Sequence, residues 1–230
     1  MIEISDLRFS YPDGTPALKG VDLCVPEGCR MGLVGCNGAG KSTLLWHLNG
    51  LLEGTGDVAV AHMAVSHGSL KRLRQRVGLV FQNPDDQLFM PTVFDEVAYA
   101  AVNAGFDPGE VTQRTRRALE LVGMSGVERR HPINLSTGQK KRVAIASVMV
   151  TDNELLVLDE PSAGLDPAGR RDLISLLRSL DRTMVIASHD LSLVEDLCDR
   201  VAVMLDGRVA RTGPTAELLA DAELLAGCGL

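Results

Sequence analysis

No apolar run in this sequence is long enough to cross a bilayer. The stretches at 143–150 and 155–158 stop well short of the roughly 18 residues that a spanning helix requires. Neither a basic leader nor an apolar stretch ending in small residues stands at Met1-Ile2-Glu3-Ile4, so no secretory signal is expected and the chain is expected in the cytoplasm. There is no CxxC pair among the five cysteines, at 24, 29, 36, 198 and 228, which argues against structural zinc and for reduced thiols. The histidines at 47, 62, 67 and 131 show no metal-ligand spacing either. A broad basic excess is also missing. Lys and Arg number 23 against 30 Asp and Glu, a formal charge of −7, so nucleic acid is not the expected main partner. Basic clusters at 71–74 and 140–142 read as solvated helix faces. Internal repeats and low-complexity tracts are absent.

What is present is a chain of 230 residues, 45% hydrophobic, able to bury a full core as one large domain or a domain with an inserted lobe. Alternating segments at 2–9 and 18–25 predict strands, with Tyr11-Pro12-Asp13-Gly14 supplying turn chemistry, hence an antiparallel N-terminal part. From Arg30 the pattern becomes an apolar strand at 31–34, a glycine-rich turn and a helix at 41–49. Apolar strands at 155–158 and 184–187, each leading into a helix-like stretch, predict a parallel α/β sheet. Between them apolar residues recur at helical spacing, as at Val111, Ala118 and Leu119, and strand-like runs are scarce. The expectation is a single α/β domain, with a core at about 1–83 and 151–230 and an inserted helical lobe at about 84–150.

Gly35-Cys36-Asn37-Gly38-Ala39-Gly40-Lys41-Ser42 satisfies G-x-x-x-x-G-K-[ST] and lies between an apolar strand and a helix, where that motif must lie. Glycines let the backbone wrap closely enough for its N–H groups to hold phosphates, and the helix N-terminus favours the anion. Lys41 is expected at the β- and γ-phosphates, and the Ser42 hydroxyl on Mg²⁺, which prefers oxygen ligands. The strand at 155–158 runs into Asp159-Glu160, two adjacent carboxylates that are costly in a core unless cations or a reacting water use them. Asp159 suits Mg²⁺ through water. Glu160 suits polarisation of the water that attacks the γ-phosphate.

With these two motifs stand Gln82 after an apolar strand, Leu135-Ser136-Thr137-Gly138-Gln139, Ser162-Ala163-Gly164-Leu165-Asp166, and Ser188-His189-Asp190. In this order, over essentially the whole chain, they resemble ABC-type ATPases, which implies a P-loop NTPase fold of the ABC nucleotide-binding type. The resemblance implies ATP held by Gly35, Asn37, Gly38, Ala39, Gly40, Lys41, Ser42 and Thr43, with Tyr11 stacked on adenine. It implies Mg²⁺ near Ser42, Gln82 and Asp159, and a reaction served by Lys41, Gln82, Glu160 and a switch histidine, His189. Residues 135–139 look like the family signature, so Ser136, Gly138 and Gln139 would meet the ATP of a second ATPase subunit, in a homodimer or heterodimer. Asp166 resembles the residue that crosses the dimer interface, but an aspartate before Pro167 equally suits a helix cap.

One position departs from the family pattern: the signature usually has two consecutive glycines, and Thr137 replaces the first. A β-branched residue resists positive φ, so close backbone approach is expected to suffer unless the backbone there is ordinary helix or strand. If it suffers, glycine at this position should speed ATP turnover.

Within the family, the run Phe81-Gln82-Asn83-Pro84-Asp85-Asp86-Gln87-Leu88-Phe89 and the following Pro91-Thr92-Val93-Phe94-Asp95-Glu96-Val97-Ala98 resemble energy-coupling factor transporters. These import vitamins or transition-metal ions, and the stretch at 138–146 is similar to their cobalt and nickel members. The resemblance implies a transmembrane coupling protein, a substrate-capturing membrane subunit, and a peripheral place on the cytoplasmic face of the membrane. A soluble ABC ATPase acting on nucleic acid or ribosomes is the rival reading; it would usually carry paired domains, a long coiled-coil insertion or a basic extension.

Overall fold

The computed structural model describes all 230 residues and divides into two compact units. In chain order the elements are β1 (Ile2–Ser10), β2 (Pro16–Val25), β3 (Arg30–Val34), α1 (Lys41–Leu48), β4 (Thr55–Val60), β5 (Met63–Ala64), α2 (Leu70–Arg76) and β6 (Val77–Val80). Then follow α3 (Val93–Ala104), α4 (Pro108–Leu121), α5 (Thr137–Met149), β7 (Leu155–Asp159) and α6 (Pro167–Ser179). The chain finishes with β8 (Thr183–Ala187), α7 (Leu191–Leu197), β9 (Arg200–Leu205), β10 (Arg208–Pro214), α8 (Thr215–Leu219) and α9 (Ala222–Gly227).

The first unit comprises residues 1–79, 154–160 and 181–230. Its four-stranded antiparallel sheet has the order β2-β1-β4-β5, and the turn at Tyr11 is closed by the Gly14 N–H donating to the Tyr11 carbonyl at 2.9 Å. The six-stranded sheet has the order β10-β9-β3-β8-β7-β6, ending on the strand whose last residue begins the second unit. Its inner strands β7 and β8 are buried at every position, as expected where both faces of a parallel sheet are covered. Here β3, β8 and β7 run parallel, with Ala187 level with Leu33 on one side and Asp159 on the other. The loops after these three strands therefore leave the sheet at one edge, where ligands of open α/β sheets bind.

The second unit comprises residues 80–153 and 161–180 and holds α3, α4, α5 and α6. Each helix starts on a side-chain cap: Thr92, Asp107, Ser136 and Asp166 accept from backbone N–H groups two or three residues further on. Val93, Val97, Ala101, Leu119 and Ile145 form its buried interior. The unit extends past the inserted segment to take in 161–180. Interactions from α5 hold that stretch: Lys141 Nζ donates to the Pro161 carbonyl at 2.9 Å, and Arg142 pairs with Asp172 at 2.8 Å.

Candidate active site

The loop between β3 and α1 has the shape that its glycines predict. Gly40 sits at φ 100° as the N-cap of α1, and a Cβ there would lie 2.8 Å from the Ala17 carbonyl oxygen. Gly38, at φ 82°, faces open space. No side chain caps α1, so an anion is the natural acceptor for its first N–H groups. Lys41 is buried, and its Nζ donates to the carbonyls of Gly35 at 2.7 Å and Cys36 at 3.2 Å, which folds the ammonium back across the loop. Asn37 is exposed, Ala39 is buried and Ser42 half-buried. The Tyr11 hydroxyl meets Thr43 Oγ1 at 2.9 Å, joining the turn after β1 to the start of α1.

At the same edge, Asp159 ends β7 with 3% exposure and Glu160 follows with 6%. Glu160 adopts φ 44°, a left-handed conformation costing a non-glycine residue on the order of 1 kcal/mol or more. It is held there by its own N–H, which donates to the Ala187 carbonyl at 2.9 Å. Three donors converge on its carboxylate: the His189 N–H at 3.1 Å, the Ser188 hydroxyl at 3.3 Å and His189 Nδ1 at 2.8 Å. A donating Nδ1 leaves Nε2 of the neutral ring as an acceptor, and the His189 side chain is 62% exposed. The group is thus a buried carboxylate tied to a solvent-reaching imidazole.

The structure brings together Tyr11, the loop, Asp159, Glu160 and His189 within the first unit; Gln82, Ser136, Gly138 and Gln139 belong to the second. Gln82 is exposed just beyond β6. Gln87 fixes the loop that follows by accepting from the Phe81 N–H at 3.1 Å and donating to the Ala144 carbonyl at 3.0 Å. Ser136 and Gln139 form a reciprocal capping box on α5, each side chain accepting the other's backbone N–H. Thr137 is the first helical residue and neither it nor Gly138 has positive φ, so the expected difficulty at Thr137 does not arise and glycine there relieves no strain. Asp166 caps α6, accepting from the Gly169 N–H at 2.6 Å.

Three buried residues receive no role from the sequence, although Ser188 stands inside the Ser188-His189-Asp190 motif. Ser188, fully buried, is one of the donors to Glu160. Glu96, 3% exposed, accepts from the N–H groups of Phe89 and Met90 at 2.8 and 2.7 Å and shapes the loop before α3. His47 is the third: its Nδ1 donates to the Thr43 carbonyl at 2.7 Å while Nε2 is buried with no partner. Its only sequence signal was a histidine on the apolar side of a helix.

Burial holds His47 below its ordinary value, against the smaller upward pull of its bond to Thr43. In the unfolded chain it titrates near the usual value of about 6.5. As pH falls through that value the unfolded state takes up the proton first, so His47's contribution to stability is full above it and declines below it. Thermal unfolding between pH 7.5 and 5.5 should therefore show a fall of a few degrees that His47→Leu flattens. Parallel falls in both proteins would assign the acid sensitivity to other groups.

The sequence profile of the ABC transporter family matches residues 18–163. The energy-coupling factor transporter ATP-binding protein EcfA of Methanothermobacter thermautotrophicus is 47% identical over 98% of this chain and 74% of its own length. Among solved structures, CbiO1 of Clostridium perfringens, described as part of the ABC transporter complex CbiONQ, superposes with a TM-score of 0.85 at 38% identity, covering 98% of this chain and 93% of that one. A dimeric ATP-binding cassette in a post-hydrolysis state, bound to ADP and Pi, superposes with a TM-score of 0.84 at 26% identity, covering 94% and 99%. With its phosphate-loop geometry, its carboxylate–histidine pair and these likenesses, the chain belongs to the ABC transporter ATPases and is an ATP-binding subunit of the EcfA type.

Proposed function

We propose that this chain hydrolyses ATP at a dimer interface to drive an energy-coupling factor importer of a transition-metal ion, cobalt or nickel, or of a vitamin. The observation that carries the hydrolytic part is the Glu160 carboxylate, held by three donors at the sheet edge from which the phosphate loop also leaves. Support for the transport part comes from the EcfA relatives and from the run at 81–98. The stretch at 138–146 favours a metal ion as cargo.

In this reading the phosphate-loop N–H groups from Gly35 to Thr43 and the Lys41 ammonium hold the triphosphate, and Tyr11 stacks on adenine. Ser42, Asp159 and Gln82 each offer a side-chain oxygen, the ligand type that Mg²⁺ prefers. When bound, Mg²⁺ supplies positive charge against the phosphate oxygens. Glu160 accepts a proton from the attacking water while His189 Nδ1 orients the carboxylate; a second proton on Nε2, which makes the ring a cation, would let His189 donate to the γ-phosphate. Ser136, Gly138 and Gln139 at the N-terminus of α5 approach the nucleotide held by a second ATPase subunit.

No helix is long and apolar enough to cross a membrane, so attachment to the cytoplasmic face would run through a transmembrane coupling protein and a substrate-capturing subunit. Expression of the tagged chain with the membrane proteins encoded beside it tests this. ATP-dependent uptake of labelled cobalt, nickel or a vitamin by the purified, reconstituted assembly is the expected result. Recovery of an active ATPase with no membrane protein attached, and no uptake, would defeat the importer reading.

A further inference from the structure

His47 takes part in none of the steps above, yet it is 2% exposed and lies on the helix that follows the phosphate loop. Its contacts close a ring. His47 Nδ1 donates to the Thr43 carbonyl at 2.7 Å, and Thr43 Oγ1 shares a 2.9 Å hydrogen bond with the Tyr11 hydroxyl. Phe9 completes the circuit with edge-on contacts to Tyr11 at 5.1 Å and 82° and to His47 at 5.0 Å and 75°. Two of the four residues belong to α1, Phe9 belongs to β1, and Tyr11 stands in the turn just beyond it. A tyrosine ring has two side-chain torsions, and a hydrogen bond at its tip with an aromatic contact on its body restrains both.

We infer that His47 is a positioning residue for the nucleotide base: set against Phe9 and tied to Thr43, it holds the Tyr11 ring in the orientation that adenine meets. This rests on the reading of Tyr11 as the adenine-stacking residue. The triphosphate is held by backbone groups of the loop and by Lys41, none of which depends on the aromatic contacts. Loss of His47 should therefore be felt by the base and not by the phosphates. Leucine at this position has similar bulk, but it offers no ring to Phe9 and no donor to Thr43.

Calorimetric binding of Mg-ATP and of magnesium tripolyphosphate, which lacks a base, separates the two. Tyr11→Ala should weaken ATP about tenfold, and His47→Leu about fivefold, with tripolyphosphate changed less than about twofold in either. Phe9→Leu, which leaves α1 untouched, should give the same split if His47→Leu fails to fold. His47→Phe, which restores a ring, should recover part of the ATP affinity. Equal weakening of ATP and tripolyphosphate would reduce His47 to a support of the helix and overturn the inference. Full ATP affinity in His47→Leu or Phe9→Leu, with Tyr11→Ala impaired, would overturn it while sparing the stacking role of Tyr11. An unimpaired Tyr11→Ala would remove that role and the inference with it.

Discussion

Replacing Glu160 by glutamine is expected to lower steady-state ATP turnover by at least about a hundredfold while leaving Mg-ATP binding nearly unchanged. The amide matches the carboxylate in size, so the left-handed turn, the Ala187 hydrogen bond and the phosphate loop should all persist. What changes is the charge that accepts the water's proton. Three donors now face that charge, and the amide nitrogen of glutamine brings a donor where one of them stands, so part of the network must turn away. The ATP-bound dimer should accumulate because binding outlasts chemistry. Size-exclusion chromatography with ATP and a phosphate-release assay on protein freed of contaminating ATPase measure both. Turnover close to the wild-type rate would remove Glu160 from its role.

The second large effect concerns the membrane. Phe89→Ala and Asp86→Arg are each expected to leave ATP binding by the isolated chain intact, to reduce co-purification with the membrane subunits and to abolish transport. Phe89 is 65% exposed, with its ring edge-on to Tyr99 at 5.1 Å, and Val102 on the same helix is 58% exposed. Such an apolar surface beside the acidic residues Asp85, Asp86 and Asp95 suits short amphipathic helices carrying basic residues. Glu96 keeps the loop in shape by accepting the N–H groups of Phe89 and Met90, so the ring is presented by a fixed backbone. Phe94 differs from Phe89 in being half-buried, with its N–H donating to the Glu128 carbonyl. Pull-down from detergent-solubilised membranes, paired with an uptake assay, reads the outcome. Unchanged assembly and uptake in both variants would put the coupling surface elsewhere.

Much of this site was legible before any coordinates, because its parts are local. A strand, a glycine-rich turn and a helix lie within residues 30–48, and nearest-neighbour rules suffice to place a phosphate loop there. The same holds for Asp159-Glu160 at the end of a buried strand, and for Ser136 to Gln139, whose spacing is also that of a capping box. Asp166 shows the limit of such rules, since both a cap and an interface residue were compatible with its neighbours; its side chain is occupied as a cap. Thr137 shows another, for its identity suggested strain that its ordinary helical backbone does not bear.

Composition and periodicity by themselves determined the α/β class, the antiparallel start, the parallel strands at 155–158 and 184–187, and the order in which the chemical groups occur. Those are matters of residue type and short-range spacing. Only the tertiary structure decided which distant groups meet. The level pairing of Ala187 with both Leu33 and Asp159 brings Ser188 and His189 to Glu160 across 28 and 29 residues, and gives Glu160 the hydrogen bond that sustains its unusual φ. The grouping of 161–180 with the helices, the burial of Glu96 beneath its loop, and the ring of Phe9, Tyr11, Thr43 and His47 arose in the same way. Each depends on strand register and packing between segments far apart in the chain, and such contacts leave no periodic mark in the residues that make them.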